Sequence, residues 1–513
     1  MPKEWNKFTR VVERQKKMTH VVKFHPRTPA KKVRSTSRTG KYTEVQEIGR
    51  GGAATVFRGR NSKGELVAIK ALQPPAELSK DLEDDEGLAA SDLADLWITN
   101  SWNHPNLVHA LDTSFYSDKK EKVAADPQSI LRLVLPLATS SLFDYLSQLD
   151  SQSVQVRIDL AHDLLCGLSQ LHGNNFAHGD VKPHNALLLP SRNDEKRLVA
   201  TWTDFGSLLP VFPTSKPIFQ GTPIYMSPEL LCHKKRDSKE VFQLARPADM
   251  WSFGIVLLEI FLGQPISEIL KTRCPVAPSD EWLAPTICLI GEPPRGWFDR
   301  WDVTGACSGE YKRRRTRSMS TSSSSSVPKY VPLLDRIVYS GRHSNMSEAE
   351  FKGFIVLIKR CLQWDPSKRI TAPEALTEPT ETSRNPFKSK DGTNLFSSSS
   401  KCVVDLDVMR TQLQKGSRRK AIVGLPMQTQ PLTRQFANVI MDQANRALGA
   451  ARQPLIAEGQ SDYEFAAVLM AAKLFYDPVV PALLAQALVT SIERSVILAK
   501  ERELIALLHG KLS

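Results

Sequence analysis

The 513-residue chain is short of the features that mark zinc-bound, disulfide-stapled and membrane proteins. Its seven cysteines, at 166, 232, 274, 288, 307, 361 and 402, are scattered, and no Cys-x-x-Cys pair occurs. That argues against a zinc module or a disulfide framework and suits a reducing compartment. No stretch approaches about 18 uninterrupted apolar residues, so no membrane span is expected. The strongest apolar run, 253–262, is short, contains Glu259 and reads as a buried helix. Trp5 and Phe8 sit among charges with no apolar core or cleavage site, so no secretory signal is expected. An intracellular location, cytoplasmic, nuclear or both, follows as the expectation. Basic clusters occur without interleaved aromatics or a recognition motif, so nucleic acid is not an expected partner.

What is present is unevenly placed. Of the net charge of +13, residues 1–41 supply thirteen Lys/Arg against Glu4 and Glu13, so the remainder is near neutral. Such an arm reads as solvated and disordered, or as a docking segment for nucleic acid, acidic protein or anionic lipid. Alternation and a turn at Asn61-Ser62-Lys63-Gly64 predict three short strands over 42–48, 55–60 and 66–72. A helix is expected over 82–102, broken by His104-Pro105-Asn106, then an apolar strand over 130–137. Val156, Leu160, Leu164, Leu165, Leu168 and Leu171 have the spacing of a helix over 154–172. Another is expected over 250–262, introduced by Pro247 and Asp249, and another over 349–361. Residues 312–326, within a wider insertion of about 305–330, are basic and Ser-rich and read as a disordered insertion, with its Arg cluster before Ser318 a candidate nuclear-import signal. Residues 379–402 read as a linker, and 403–513 as a small helical unit.

The chemistry concentrates in His178-Gly179-Asp180-Val181-Lys182-Pro183-His184-Asn185, answered nineteen residues after Asn185 by Asp204-Phe205-Gly206. These are the parts that phosphoryl transfer needs: a carboxylate for the hydroxyl proton, an amide and a second carboxylate for magnesium, and a lysine for the moving phosphoryl group. Upstream, Ile48-Gly49-Arg50-Gly51-Gly52-Ala53-Ala54-Thr55-Val56 is a strand–turn–strand in which Gly49 and Gly51 let the backbone approach phosphates. Ala68-Ile69-Lys70 follows on the third strand.

In this order the motifs resemble a eukaryotic protein kinase of Ser/Thr type over roughly 42–378. The fold class implied is α+β, a bilobal kinase fold with a β-rich N-lobe and a helical C-lobe, followed by a small all-α C-terminal domain. ATP and Mg2+ are the implied cofactors and a protein the implied substrate. The resemblance implies Asp180 as base, Lys182 as phosphoryl partner, and Asn185 and Asp204 as metal ligands. Lys70 is implied to hold the nucleotide's inner phosphates and to pair with an acid on the next helix. Counting back nine residues from His104 gives Asp95 where kinases usually have Glu, with Asp92 and Glu86 as alternatives. Being one methylene shorter, Asp95 requires a closer helix or a water bridge. Ile48 and Val56 are implied to cover adenine, Leu135 to control the back pocket, and Pro136-Leu137-Ala138 to form the hinge. Ala54 departs from the third glycine of the family loop. Gly179 stands where most kinases carry the Arg that receives an activation-loop phosphate, so switching by Thr214 or Ser215 is not expected. Thr222 is implied to bond to the catalytic Asp and Lys, Glu229 to pair with Arg369, and Asp249 to anchor the catalytic loop. The run 287–297 looks like the insert of the cyclin-dependent and MAP-kinase branch, although Met226-Ser227 stands where that branch has Arg-Ala.

Toward the C-terminus, Phe436, Val439, Ile440, Ala444, Ala447 and Leu448 form one helical stripe, 465–475 is apolar almost all round, and 495–508 reads as a further helix. The unit is a generic helical bundle or resembles a single cyclin box, in which Lys473 and Glu501 would be the partner-facing pair. It is expected to dock on its own kinase domain or on another protein. A kinase-fold scaffold with catalysis impaired through Asp95 is the alternative function.

Overall fold

The computed structural model describes residues 42–51, 54–72, 89–116, 130–191, 194, 197–210, 221–231, 238–273, 284–294, 296–297, 332–340 and 346–377. Toward the C-terminus it describes 437, 440–441, 463, 466–471 and 494–507. The basic arm 1–41, the insertion 312–326, the linker 379–402, Glu86, Thr214, Ser215 and Lys473 lie outside the described residues.

In chain order the elements are β1 (Tyr42–Arg50), β2 (Ala54–Asn61), β3 (Leu66–Leu72), α1 (Ala90–Ser101), β4 (Asp112–Tyr116), β5 (Ile130–Pro136), β6 (Ser140–Ser141), α2 (Leu142–Tyr145) and α3 (Val154–Gly173). There follow β7 (Ala186–Pro190), β8 (Leu198–Trp202), α4 (Pro228–Leu231), α5 (Ser238–Leu262), α6 (Ile266–Arg273), α7 (Ala284–Ile290), α8 (Leu333–Ser340), α9 (Glu348–Cys361), α10 (Ala372–Thr377) and α11 (Arg494–Leu507). They fall into two compact units, one of residues 20–139, 201–217 and 400–513, the other of 1–19, 140–200 and 218–399.

The first unit is built on an antiparallel sheet in the order β1-β2-β3-β5-β4. The β2–β3 turn closes because Asn61 Oδ1 accepts the backbone N–H groups of Lys63 and Glu65, while Gly64 takes a φ of 83°. The resulting register sets Gly49 opposite Val56, Val56 opposite Lys70, and Lys70 opposite Leu133. Residues two apart share a face, so Ala68, opposite Leu135, lies on the Lys70 side. Val67, Ile69 and Val134 form a separate buried cluster with Tyr42 and Phe57 packed against it.

Helix α1 ends before Pro105, and Trp97 packs edge-on to Trp102 with ring centroids 5.8 Å apart. The loop that follows is laced to the strand leading into Asp204: Trp202 N–H donates to Asn106 O, Val108 N–H to Trp202 O, and Thr201 Oγ1 to Pro105 O. Within the loop His104 Nδ1 accepts Asn106 N–H, and burial pushes this imidazole down to about 4, so it serves as a neutral acceptor. Later in the same unit, α11 packs against β4.

The second unit is helical around α3 and α5, whose buried faces carry Leu160, Leu164, Leu165 and Leu168 on one and Phe253, Val256, Leu257 and Ile260 on the other. Helix α5 begins at Ser238, twelve residues before the expected start, and runs through Pro247. Its buried face extends N-terminal of the proline to Ala245, and Arg369 Nη1 donates to the Pro247 carbonyl at 3.1 Å, so tertiary packing overrides the local stop signal. Helix α9 starts one residue early on a capping box between Ser347 and Glu350. In α3 the buried stripe includes Arg157, which donates to Ile260 O and Asp150 Oδ1, both at 2.7 Å. Among the described residues no helix is long and apolar enough to cross a membrane.

Candidate active site

The first unit holds a nucleotide-side constellation. Lys70 Nζ lies 2.6 Å from Asp95 Oδ2 and 2.9 Å from Asp204 Oδ1. The lysine and Asp95 are nearly enclosed, whereas the Asp204 side chain keeps half its surface in water. Burial alone would push the Lys70 ammonium down, but the charges and hydrogen bonds of Asp204 and Asp95 outweigh it and raise its pKa above the ordinary lysine value. The ammonium therefore stays charged throughout the physiological range.

Asp95 does a second task, since its Oδ1 accepts the backbone N–H of Phe205 at 3.1 Å. The short carboxylate reaches Lys70 directly because α1 rides against the Asp-Phe-Gly turn: a Cβ placed on Gly206 would stand 3.4 Å from Ser91 Cβ. Asp92, the described alternative, is buried on the same helix, and the ion pair to Lys70 is made by Asp95. Asp204 adopts a left-handed φ of 65°, a conformation that aspartate tolerates better than most residues.

Around the lysine, Gly49 is buried and Ile48 half-buried, with Ile48 the unpaired residue of a β-bulge between Glu47 and Gly49. Gly51 donates its N–H to Ala54 O at 2.8 Å, and among the described residues a Cβ there would meet that oxygen, at 3.7 Å. Leu135 is buried at the end of β5, followed by half-buried Leu137 and buried Ala138.

The second unit holds the catalytic-loop constellation. Asp180 Oδ2 accepts from Lys182 Nζ at 2.5 Å and from Asn185 Nδ2 at 3.0 Å. Its Oδ1 accepts from Thr222 twice, from N–H at 3.0 Å and from Oγ1 at 2.9 Å. Lys182 Nζ also donates to Thr222 Oγ1 at 2.9 Å, closing a triangle of carboxylate, ammonium and hydroxyl. Asn185 Nδ2 makes a further bond to the Asp180 carbonyl, which leaves the amide oxygen as the atom to offer a cation. Asp249 fixes the loop from beneath: its Oδ2 accepts from His178 N–H at 2.7 Å and its Oδ1 from Gly179 N–H at 3.0 Å. Gly179 has a φ of 80°, so the residue that departs from the family pattern also occupies a conformation suited to glycine.

Several contributors were not evident in the sequence. His172 Nε2 lies 2.9 Å from Asp249 Oδ2, adding a second support to the anchor. Beyond Thr222, Tyr225 donates its hydroxyl to buried Glu259 at 2.9 Å, and Ile266 N–H donates to the same oxygen at 2.6 Å. Burial drives the Glu259 carboxyl up to about 8 despite these two bonds. The ring of His184, between Lys182 and Asn185, stacks on Phe143 at 3.9 Å, and burial followed by the Lys182 charge pushes it down to about 4. The pair Glu229–Arg369, by contrast, was expected from the sequence; it is fully buried and bidentate, at 2.5 and 2.6 Å.

Residues 42–380 match the protein kinase domain. The chain belongs to the protein kinase family. Among curated relatives of this kinase chain is a probable serine/threonine-protein kinase of Dictyostelium discoideum, 30% identical over 240 residues that make up 46% of this chain and 42% of the relative. Serine/threonine-protein kinase ATG1 of Komagataella pastoris is 29% identical over 261 residues, 44% of this chain and 30% of the relative. Dual specificity tyrosine-phosphorylation-regulated kinase 3 of Rattus norvegicus is 28% identical over 247 residues, 44% of this chain and 36% of the relative. The kinase chain thus spans less than half the length of these relatives.

Proposed function

We propose that this protein is a serine/threonine protein kinase that transfers the γ-phosphoryl group of ATP to protein hydroxyls inside the cell. The observation that carries this reading is the Asp180–Lys182–Thr222 triangle, where a hydroxyl donates to a carboxylate while its oxygen rests beside an ammonium. A substrate serine or threonine needs that pair of interactions, its proton leaving to Asp180 as its oxygen gains a bond to phosphorus. Lys182 then sits where negative charge accumulates on the transferred group. Lys70, held by Asp95, is the partner for the inner phosphates, and the lack of a side chain at Gly51 suits a close approach of the phosphate chain. In this reading Asn185 and Asp204 would each offer Mg2+ a hard oxygen donor, one an amide oxygen and the other a carboxylate. Bound as its magnesium complex, ATP supplies the phosphoryl group and the metal neutralises its charge. Ile48, Val56, Leu135, Leu137 and Ala138 are the adenine-side residues in this reading. The names of two of the relatives above also support Ser/Thr specificity.

The test is transfer from γ-labelled ATP to a degenerate peptide library by the purified full chain, with and without Mg2+. The expected product is metal-dependent phosphoserine and phosphothreonine. Label confined to tyrosine, or none after contaminating kinases are excluded, would overturn the proposal.

A further inference from the structure

We infer that α11 is an intramolecular clamp: by covering the edge strand β4 it seats α1 and so sets the Lys70–Asp95 pair. A helix that docks on a sheet by one face normally leaves the opposite face in water. Helix α1 leaves none, because the nine consecutive residues from Asp92 to Asn100 are all buried. At 3.6 residues per turn that run goes round the helix more than twice. The polar members Asp92, Thr99 and Asn100 are enclosed with the rest, so α1 requires cover on more sides than the sheet provides.

The C-terminal helix is placed to contribute. Strand β4 is the last strand in the order β1-β2-β3-β5-β4, and an edge strand exposes unpaired backbone groups unless something covers it. Helix α11 packs against β4, in the same compact unit as α1. From β4 the connection to α1 is direct: Thr113 Oγ1 donates to Asn100 Oδ1 at 3.0 Å, and Asn100 Nδ2 donates to Leu96 O at 2.9 Å, one residue from Asp95. The buried side of α11 carries Glu501 and Arg502 beside Leu504 and Ile505. Enclosing charged residues is costly unless partners are in place, so a helix that buries two of them has a specific seat rather than a greasy resting place. Its other side, with Lys500 and Glu503, is engaged by Tyr463, whose hydroxyl lies 3.2 Å from Lys500 Nζ and 2.5 Å from Glu503 Oε2. Joining this segment to the kinase domain by a tether keeps its effective concentration high, so the cover need not bind tightly.

The test reads amide hydrogen exchange in the full chain, comparing wild type with Ile505→Asp. This readout does not depend on phosphoryl transfer, so the clamp and the kinase activity fail independently. The inference predicts faster exchange by about tenfold, the scale of a typical coupling, in 494–507, 90–101 and 112–116, with 348–361 in the other unit unchanged. Faster exchange in 494–507 with 90–101 and 112–116 unchanged would overturn it. Should 348–361 also open, signalling general unfolding, the milder pair Leu504→Ala/Ile505→Ala decides by the same two outcomes.

Discussion

Replacing Asp95 by Glu restores the residue that most kinases carry, and the structure predicts that the change is harmful. Asp95 spans 2.6 Å to Lys70 and 3.1 Å to the Phe205 N–H at once, on a helix that packs against the Asp-Phe-Gly turn. An added methylene lengthens the reach by roughly 1.5 Å, a carbon–carbon bond. The helix cannot retreat to make room without disturbing a run of buried residues from Asp92 to Asn100. Overpacking of this kind costs about 1–3 kcal/mol. If that strain falls on the geometry of Lys70, it corresponds to a loss of about 5- to 150-fold in kcat/KM for ATP. Asp95→Asn keeps the shape and removes the charge, and losing a charged hydrogen bond of about 1.5–3 kcal/mol predicts a similar decline by another route. Steady-state kinetics at subsaturating ATP, with a thermal melt of each variant, measure both. An Asp95→Glu protein as fast as wild type or faster would refute the reasoning and make the short acid a defect.

Other expectations concern pH and switching. Glu259 is raised from an ordinary value of 4.5 to about 8 in the folded state, so between those pH values the unfolded chain releases a proton that the native one keeps. Native stability should therefore fall by about 1.4 kcal/mol per pH unit as pH rises through this window, and be unaffected by this group below it. Glu259→Gln removes the titration, so denaturant titrations from pH 5 to 8 should show a shallower decline; an unchanged slope would contradict the assignment. Because Gly179 replaces the phosphate-receiving arginine and adopts a φ of 80°, phosphatase treatment should leave most of the turnover intact. A large loss restored by modification of Thr214 or Ser215 would refute this.

Much of the site was legible because its parts are local. The Asn61–Gly64 turn, expected from the sequence, fixes the β2–β3 register, and that register places Val56 opposite Lys70. Counting from His104 to Asp95 works because α1 ends just before the His104-Pro105 turn, as the sequence breaks predict, and Asp95 is then the acid that reaches Lys70. Long-range choices were not legible. Whether Asp95 paired directly or through water depended on how closely α1 approaches Gly206, which no local pattern encodes. Helix α5 ran through Pro247 because buried Ala245 and the Arg369 guanidinium act across the fold. Glu259 read as an interruption of an apolar run, and its partners Tyr225 and Ile266 became visible only once the chain was folded. The division into compact units likewise joins 400–513 with the strands of 20–139, a grouping that sequence order conceals.

The central claim is that Asp180 takes the hydroxyl proton during phosphoryl transfer. Asp180→Asn keeps the side chain's size while removing its basicity, and Asp180 lies in the unit that lacks Lys70. Single-turnover transfer from γ-labelled ATP, measured beside ATP affinity, tests the claim most directly. The account predicts a rate lower by about 10²–10⁴-fold, the usual contribution of a positioned base, with ATP binding and melting temperature little changed. Transfer at the wild-type rate by a correctly folded Asp180→Asn protein would contradict it.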